Sequence, residues 1–197
     1  MNNTRYEQVW FLRAAGIAGV VTTLVLLVNT AKRIGILPMT DLTQLVAPVA
    51  QLAGIVLVLG LLGRSRAPSA FQLGTAVANA VVFAGLVGVE VVINLVFAHL
   101  DPTAIAALRA GPLGVAFTVA SLAFLAGSIL LVLAFWRDGP RWALLLYGAG
   151  AVPVALRAFV PEAALQGGLI VLAVGIGGLA VSLLTASARR PDVVAAR

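Results

Sequence analysis

Long uninterrupted apolar runs constrain this chain more than any other feature. A helix needs about 20 predominantly apolar residues, at 1.5 Å rise each, to cross the hydrocarbon of a bilayer. Six stretches satisfy that ruler, at residues 9–30, 42–62, 70–98, 112–136, 141–160 and 163–186. The third is long enough to tilt or to project past the bilayer. Barrel strands would alternate polar and apolar at period two, whereas these runs are apolar throughout. Charge supports the same reading, because only 10% of the residues are charged and 61% are apolar, where a soluble domain carries about 25% charged residues. A soluble enzyme, a disordered chain and a disulfide-stapled secreted module are thereby excluded. The expected fold is all-α, a polytopic membrane helical bundle with six transmembrane helices.

Turn and cap chemistry falls in the gaps. Asp41 with Gln44, and Ser69 with Gln72, have capping-box spacing, in which the first side chain accepts from the opening turn and the second reaches back. Gly139-Pro140 separates the fourth and fifth runs. Asp101-Pro102 through Gly111 reads as a short capped helix at the interface, with the sole histidine, His99, at the boundary beside it. The loops are too short to hold a soluble domain. A single six-helix domain over 1–188 and a cytoplasmic tail over 189–197 are expected.

Orientation follows from Lys and Arg at the helix ends. On the N-terminal side lie nine cations, Arg5, Arg13, Arg64, Arg66, Arg137, Arg141, Arg189, Arg190 and Arg197. The opposite side carries four, namely Lys32, Arg33, Arg109 and Arg157. This imbalance predicts cytoplasmic termini in an inner membrane. Trp10, Trp136 and Trp142 fall at the same N-terminal-side boundary, where an indole is half wet. The net charge of +6 is thus a positive-inside signal and not a nucleic-acid patch. A signal peptide competes for the start, with Arg5 and Arg13 ahead of the apolar residues 14–28. No small-x-small cleavage site follows before Lys32 and Arg33, so this run is expected to remain as a first span.

The third run carries a polar stripe. With Asn79 at zero and about 100° per residue, Gln72 and Glu90 fall near about 20° and Asn94 near about 60°. Ala80, Ala84 and Gly88 lie well round from it, a small-residue face suited to close helix contact. Glu90 is the one acid placed deep inside a span. It must face protein or water, be paired, or be protonated, since a charge at a helix centre costs about 2.5–3.5 kcal/mol on insertion scales. Arg157, Asn29, Gln51 and Gln166 lie in the same outer half. The expected site is an outward-opening polar cluster with Glu90 at its floor, Asn94 and Asn79 positioning it, Arg157 at its rim, and Asn29 and Gln51 on its walls. The plainer alternative is interhelical glue, worth about 0.6 kcal/mol per bond, and a snorkelling role for Arg157. Gly168, Gly175, Gly178 and Ser182 let another backbone approach the sixth run closely, and Ser121 and Ser128 suit cross-bonding on the fourth.

No cofactor or metal is implied. The chain has no Cys and one His, and HExxH, GxSxG with a partner His, and Walker sequences are absent. The segment LAGSILLVLAFWRDGPRWALLLY, residues 125–147, resembles the fourth span, tight turn and fifth span of uncharacterised bacterial multi-pass membrane families with no assigned activity. Size, span count and the Ala14/Ala18 spacing are similar to substrate-capture subunits of energy-coupling vitamin transporters, a likeness of shape alone.

The leading expectation is a protein that binds or passes a small solute or ion. A non-catalytic scaffold or regulatory subunit, docking a partner membrane protein or a second copy of itself, is the alternative. An enzyme on a lipid substrate comes third. The lipid bilayer is the common partner, and no nucleic acid is expected.

Overall fold

The computed structural model describes residues 3–38, 40–65 and 67–189, and among them every regular element is helical. The elements are α1 (Asn3–Arg33), α2 (Asp41–Arg64), α3 (Ala70–Val91), α4 (Pro102–Ala110), α5 (Pro112–Phe135), α6 (Arg141–Ala155) and α7 (Glu162–Ala188). The expected tail lies outside the described residues from 190 onward, as does Arg66.

Local chemistry sets the boundaries. Ser69 and Gln72 form the expected capping box at the start of α3. That of α2 sits one residue earlier than expected: Thr40 is the N-cap and Thr43 its reciprocal partner, in place of Asp41 and Gln44. A Thr hydroxyl reaches the third amide of the helix as a carboxylate would. Asp101 caps α4 by accepting from the Ala104 amide at 2.9 Å, and with the Thr103 hydroxyl this bond holds its carboxyl below the usual carboxylate range. Helix α1 ends in a Schellman motif, with Ile36 N–H bonded to Ala31 O and Gly35 N–H to Lys32 O at 2.9 and 3.1 Å. Gly35 takes φ +77°, where a side chain would be strained.

Among the described residues, five segments are long and apolar enough to cross a membrane: Tyr6–Arg33, Leu42–Arg64, Ala70–His99, Pro112–Phe135 and Glu162–Ala188. The run expected over 141–160 is shorter as helix. Pro153 sits inside α6, which stops at Ala155 after 15 residues, about 22 Å against a hydrocarbon core of about 30 Å. The third run is not one continuous α-helix either, since it passes through a π-helical turn at Val92–Val96 and a 3-10 turn at Phe97–His99.

The helices run alternately up and down. Gln8 near the start of α1 bonds Gly63 O at the end of α2 at 2.9 Å. Gln72 at the start of α3 donates to Ala134 O at 3.1 Å and to Asp138 at 2.6 Å, at the end of α5. Arg64 at the end of α2 donates to Ser182 near the end of α7 at 2.9 Å. Each of α1, α2, α3, α5, α6 and α7 packs on the next, and α7 closes back onto α1. The small residues of α7 serve its contact with α6. A Cβ at Gly175 would collide with the Tyr147 backbone, and one at Gly168 with the Pro153 ring. The stripe therefore seats α6 within the fold.

The expected small face of α3 has the opposite fate. Ala84 and Gly88 are exposed, and nothing lies within 4 Å of a Cβ built at Gly88. The third helix turns its polar stripe inward instead, because buried amides need protein partners.

Candidate functional site

The ring encloses a cavity of about 670 Å³, within the range of about 300–1,000 Å³ usual for small-molecule sites. Its lining runs from Lys32, Gln44 and Arg109, at the end of the bundle opposite the N-terminus, inward to Leu61, Leu131 and Leu179. Leu12, Leu144 and Leu183, each 0% exposed, pack the other end shut.

Five of the six expected site residues line this cavity: Glu90 and Asn94 from α3 and its π-helical turn, Asn29 from α1, Gln51 from α2, and Arg157 from the turn after α6. Asn94 donates to the Glu90 carbonyl at 3.0 Å and to its carboxylate at 2.8 Å. The π-helical turn begins two residues after Glu90, where this side chain competes for a main-chain acceptor. Glu90 interacts favourably with the charges of Lys32 and Arg157. Neither makes an ion-pair contact with it, and the single ion pair among the described residues joins Arg33 to Glu162 at 3.9 Å, both partly exposed.

Asn79 is the correction. It is 1% exposed, does not line the cavity, and donates to Thr75 O and Gly127 O, both at 3.0 Å. The stripe divides because α3 and α5 touch over its lower half, where Gly127 leaves room for the Asn79 side chain. The Phe83–Phe124 edge-to-face pair, with centroids 6.3 Å apart, lies between Asn79 and Glu90 along the third helix. Gln72 and Asn79 lie below it and are interhelical glue; Glu90 and Asn94 lie above it and face open space. Gln166 is also outside the cluster, donating to Glu162 at 3.4 Å. The two serines of α5 part in the same way. Ser128 pairs with the Tyr147 hydroxyl at 3.2 Å, whereas Ser121 lines the cavity.

No family model, curated protein or solved structure matches this chain. The site must therefore be read from its own chemistry.

Three lining residues were not legible as site residues. Lys32, Arg33 and Arg109 enter a sequence count as orientation charges, yet with Arg157 all four cations of that end line the one cavity. Lys32 is 8% exposed and donates to Thr43 O at 2.7 Å, tying the end of α1 to the start of α2. Arg109 stacks on the Phe97 ring at 5.3 Å from its centroid. Their signal was positional: each sits within about one turn of a helix terminus at the same end.

Several polar groups at this end make no hydrogen bond to protein among the described residues. They include the half-buried Arg157 guanidinium, with its five N–H donors, the Gln51 amide, and Asn29 Oδ1, which is buried without a partner. Deeper on the wall two of the polar side chains, Thr22 and Tyr147, are satisfied. Thr22 donates to Ala18 O and Ala50 O at 3.0 and 3.2 Å, and Tyr147 has Ser128. Unspent hydrogen-bonding capacity is thus concentrated beside Glu90, as a site awaiting a polar ligand requires.

Proposed function

We propose that the chain is a small six-span inner-membrane protein with cytoplasmic termini, binding or passing a small solute or ion through an outward-facing cavity between its helices. Glu90 is its ionisable group, Asn94 fixes the carboxylate and Arg157 is the counter-charge. The observation that carries this reading is the convergence of Glu90, Asn94, Asn29, Gln51 and Arg157, from four parts of the chain, on one cavity.

Two observations support the membrane topology. Helix α5 ends at the same end of the bundle as the N-terminus while α7 starts at the other, so α6 and its following turn must traverse the bundle despite their short helical length. The cation imbalance between the two ends supports the orientation.

Native mass spectrometry in an uncharged detergent tests the reading. A bound small molecule is expected on the wild type and not on Ser121→Trp, which fills the cavity. Its retention by Ser121→Trp, or an empty wild type, would contradict it. The scaffold reading keeps one observation, the exposed and unfilled face at Ala84, Gly85 and Gly88. A protein co-purifying in place of a small molecule would favour it.

A further inference from the structure

The cavity changes character along its length. Its mouth holds four cations, Lys32, Arg33, Arg109 and Arg157, against Glu90 on the wall and Glu162, which is paired with Arg33 at 3.9 Å. Like charges at this spacing repel, and Arg157 feels both Arg33 and Arg109 unfavourably. Two carboxylates leave two of the four cations unbalanced, so a bound anion would be stabilised there. The Arg157 guanidinium also has its donor fork free, the geometry that takes a carboxylate or phosphate in two parallel bonds.

Beyond Glu90 the wall is mostly apolar, its polar groups being Ser121 and the hydrogen-bonded hydroxyls of Thr22 and Tyr147. It runs past Leu57 and Phe124 to Leu61, Leu131 and Leu179, all at most 8% exposed. From Gln44 at the mouth to Leu61, the lining of α2 covers about 25 Å at 1.5 Å per residue. A small inorganic anion would use only the first part of such a space. Around Leu61, Leu131 and Leu179 the one polar side chain on the lining is Tyr147, whose hydroxyl is already bonded to Ser128.

We propose that the occupant is a single-chain anionic amphiphile, with a carboxylate or phosphate headgroup between Arg157 and the cations around it and its hydrocarbon tail running down to Leu61, Leu131 and Leu179. This rests on the solute-cavity reading above and names the solute's class. Glu90 then opposes the headgroup, and its neutralisation strengthens binding.

The test is binding to the full chain in an uncharged detergent, followed by native mass spectrometry with dodecanoate, dodecyl phosphate, inorganic phosphate and dodecyltrimethylammonium as probes. One or both dodecyl anions should bind one per chain. The stronger of the two separates a fatty-acid source from a phosphorylated-lipid source. Arg157→Gln should weaken binding about tenfold or more, the value of a charge-assisted bond, and Arg109→Gln, at an exposed position, should weaken it independently of any folding defect at Arg157. Glu90→Gln should tighten it. Inorganic phosphate binding as well as dodecyl phosphate would overturn the tail assignment, and the dodecyl cation binding as well as the anions would overturn the headgroup. Both outcomes leave a solute cavity standing. Absence of binding by either anion overturns the proposal, and the Ser121→Trp comparison then decides separately whether the cavity holds any solute.

Discussion

Asn94 donates its side-chain amide to two oxygens of Glu90, the main-chain carbonyl at 3.0 Å and the carboxylate at 2.8 Å. The carboxylate is thereby held on the cavity wall in one orientation, beside Lys32 and Arg157 without touching either. A double-mutant cycle of Glu90→Ala and Asn94→Ala should return a coupling energy of about 1 kcal/mol, between the average and the maximum of such bonds in membrane helices. Unfolding titrations of the four proteins in mixed micelles measure it. A coupling near zero would show that Glu90 is not held by Asn94.

Asn79 belongs to the same stripe but does different work. Its amide joins α3 to Gly127 O of α5 in a buried contact. Asn79→Ala should therefore destabilise the fold by about 1–3 kcal/mol, the cost of leaving buried polar groups unsatisfied, while leaving solute binding unchanged. Thermal unfolding and native mass spectrometry on the same preparation separate the two effects. Loss of the bound solute from a folded Asn79→Ala protein would place Asn79 in the site after all.

Glycines on α7 and α3 should respond oppositely to one methyl group. At Gly175 the added Cβ meets the Tyr147 backbone, which cannot swing aside, so Gly175→Ala should cost about 1–3 kcal/mol by overpacking. At Gly88 the space is open, and Gly88→Ala should stabilise the helix by as much as about 1 kcal/mol. Melting temperatures of the two variants test the pair. Equal effects would mean that α6 and α7 are not in backbone contact there.

Helices were legible in the sequence wherever apolar length and cap chemistry agreed. The starts of α3 and α4 follow from Ser69 and Asp101, whose side chains accept from the opening turn of each helix. The end of α6 was less legible, because hydrophobicity continues through Val160 while the helix stops just after Pro153. The π-helical turn beyond Glu90 leaves no mark on an apolar period. At the site, angular bookkeeping placed Gln72, Asn79, Glu90 and Asn94 on one face. It was blind to what each residue meets: Asn79 meets Gly127 of α5, whereas Glu90 and Asn94 line the cavity. The convergence of Lys32, Arg33, Arg109 and Arg157 was hidden for a related reason: charges at four helix ends look alike until the ring closes.

The central claim is an open path from the end opposite the termini to Glu90, and cysteine accessibility measures it most directly, since the chain has no Cys of its own. Glu90→Cys, Gln51→Cys and Ser121→Cys, each alone, should react with a membrane-impermeant maleimide added outside intact cells, while Asn79→Cys should stay unlabelled until the protein is denatured. Labelling of the three cavity positions only after the cells are opened, or no faster than at position 79, would contradict the account.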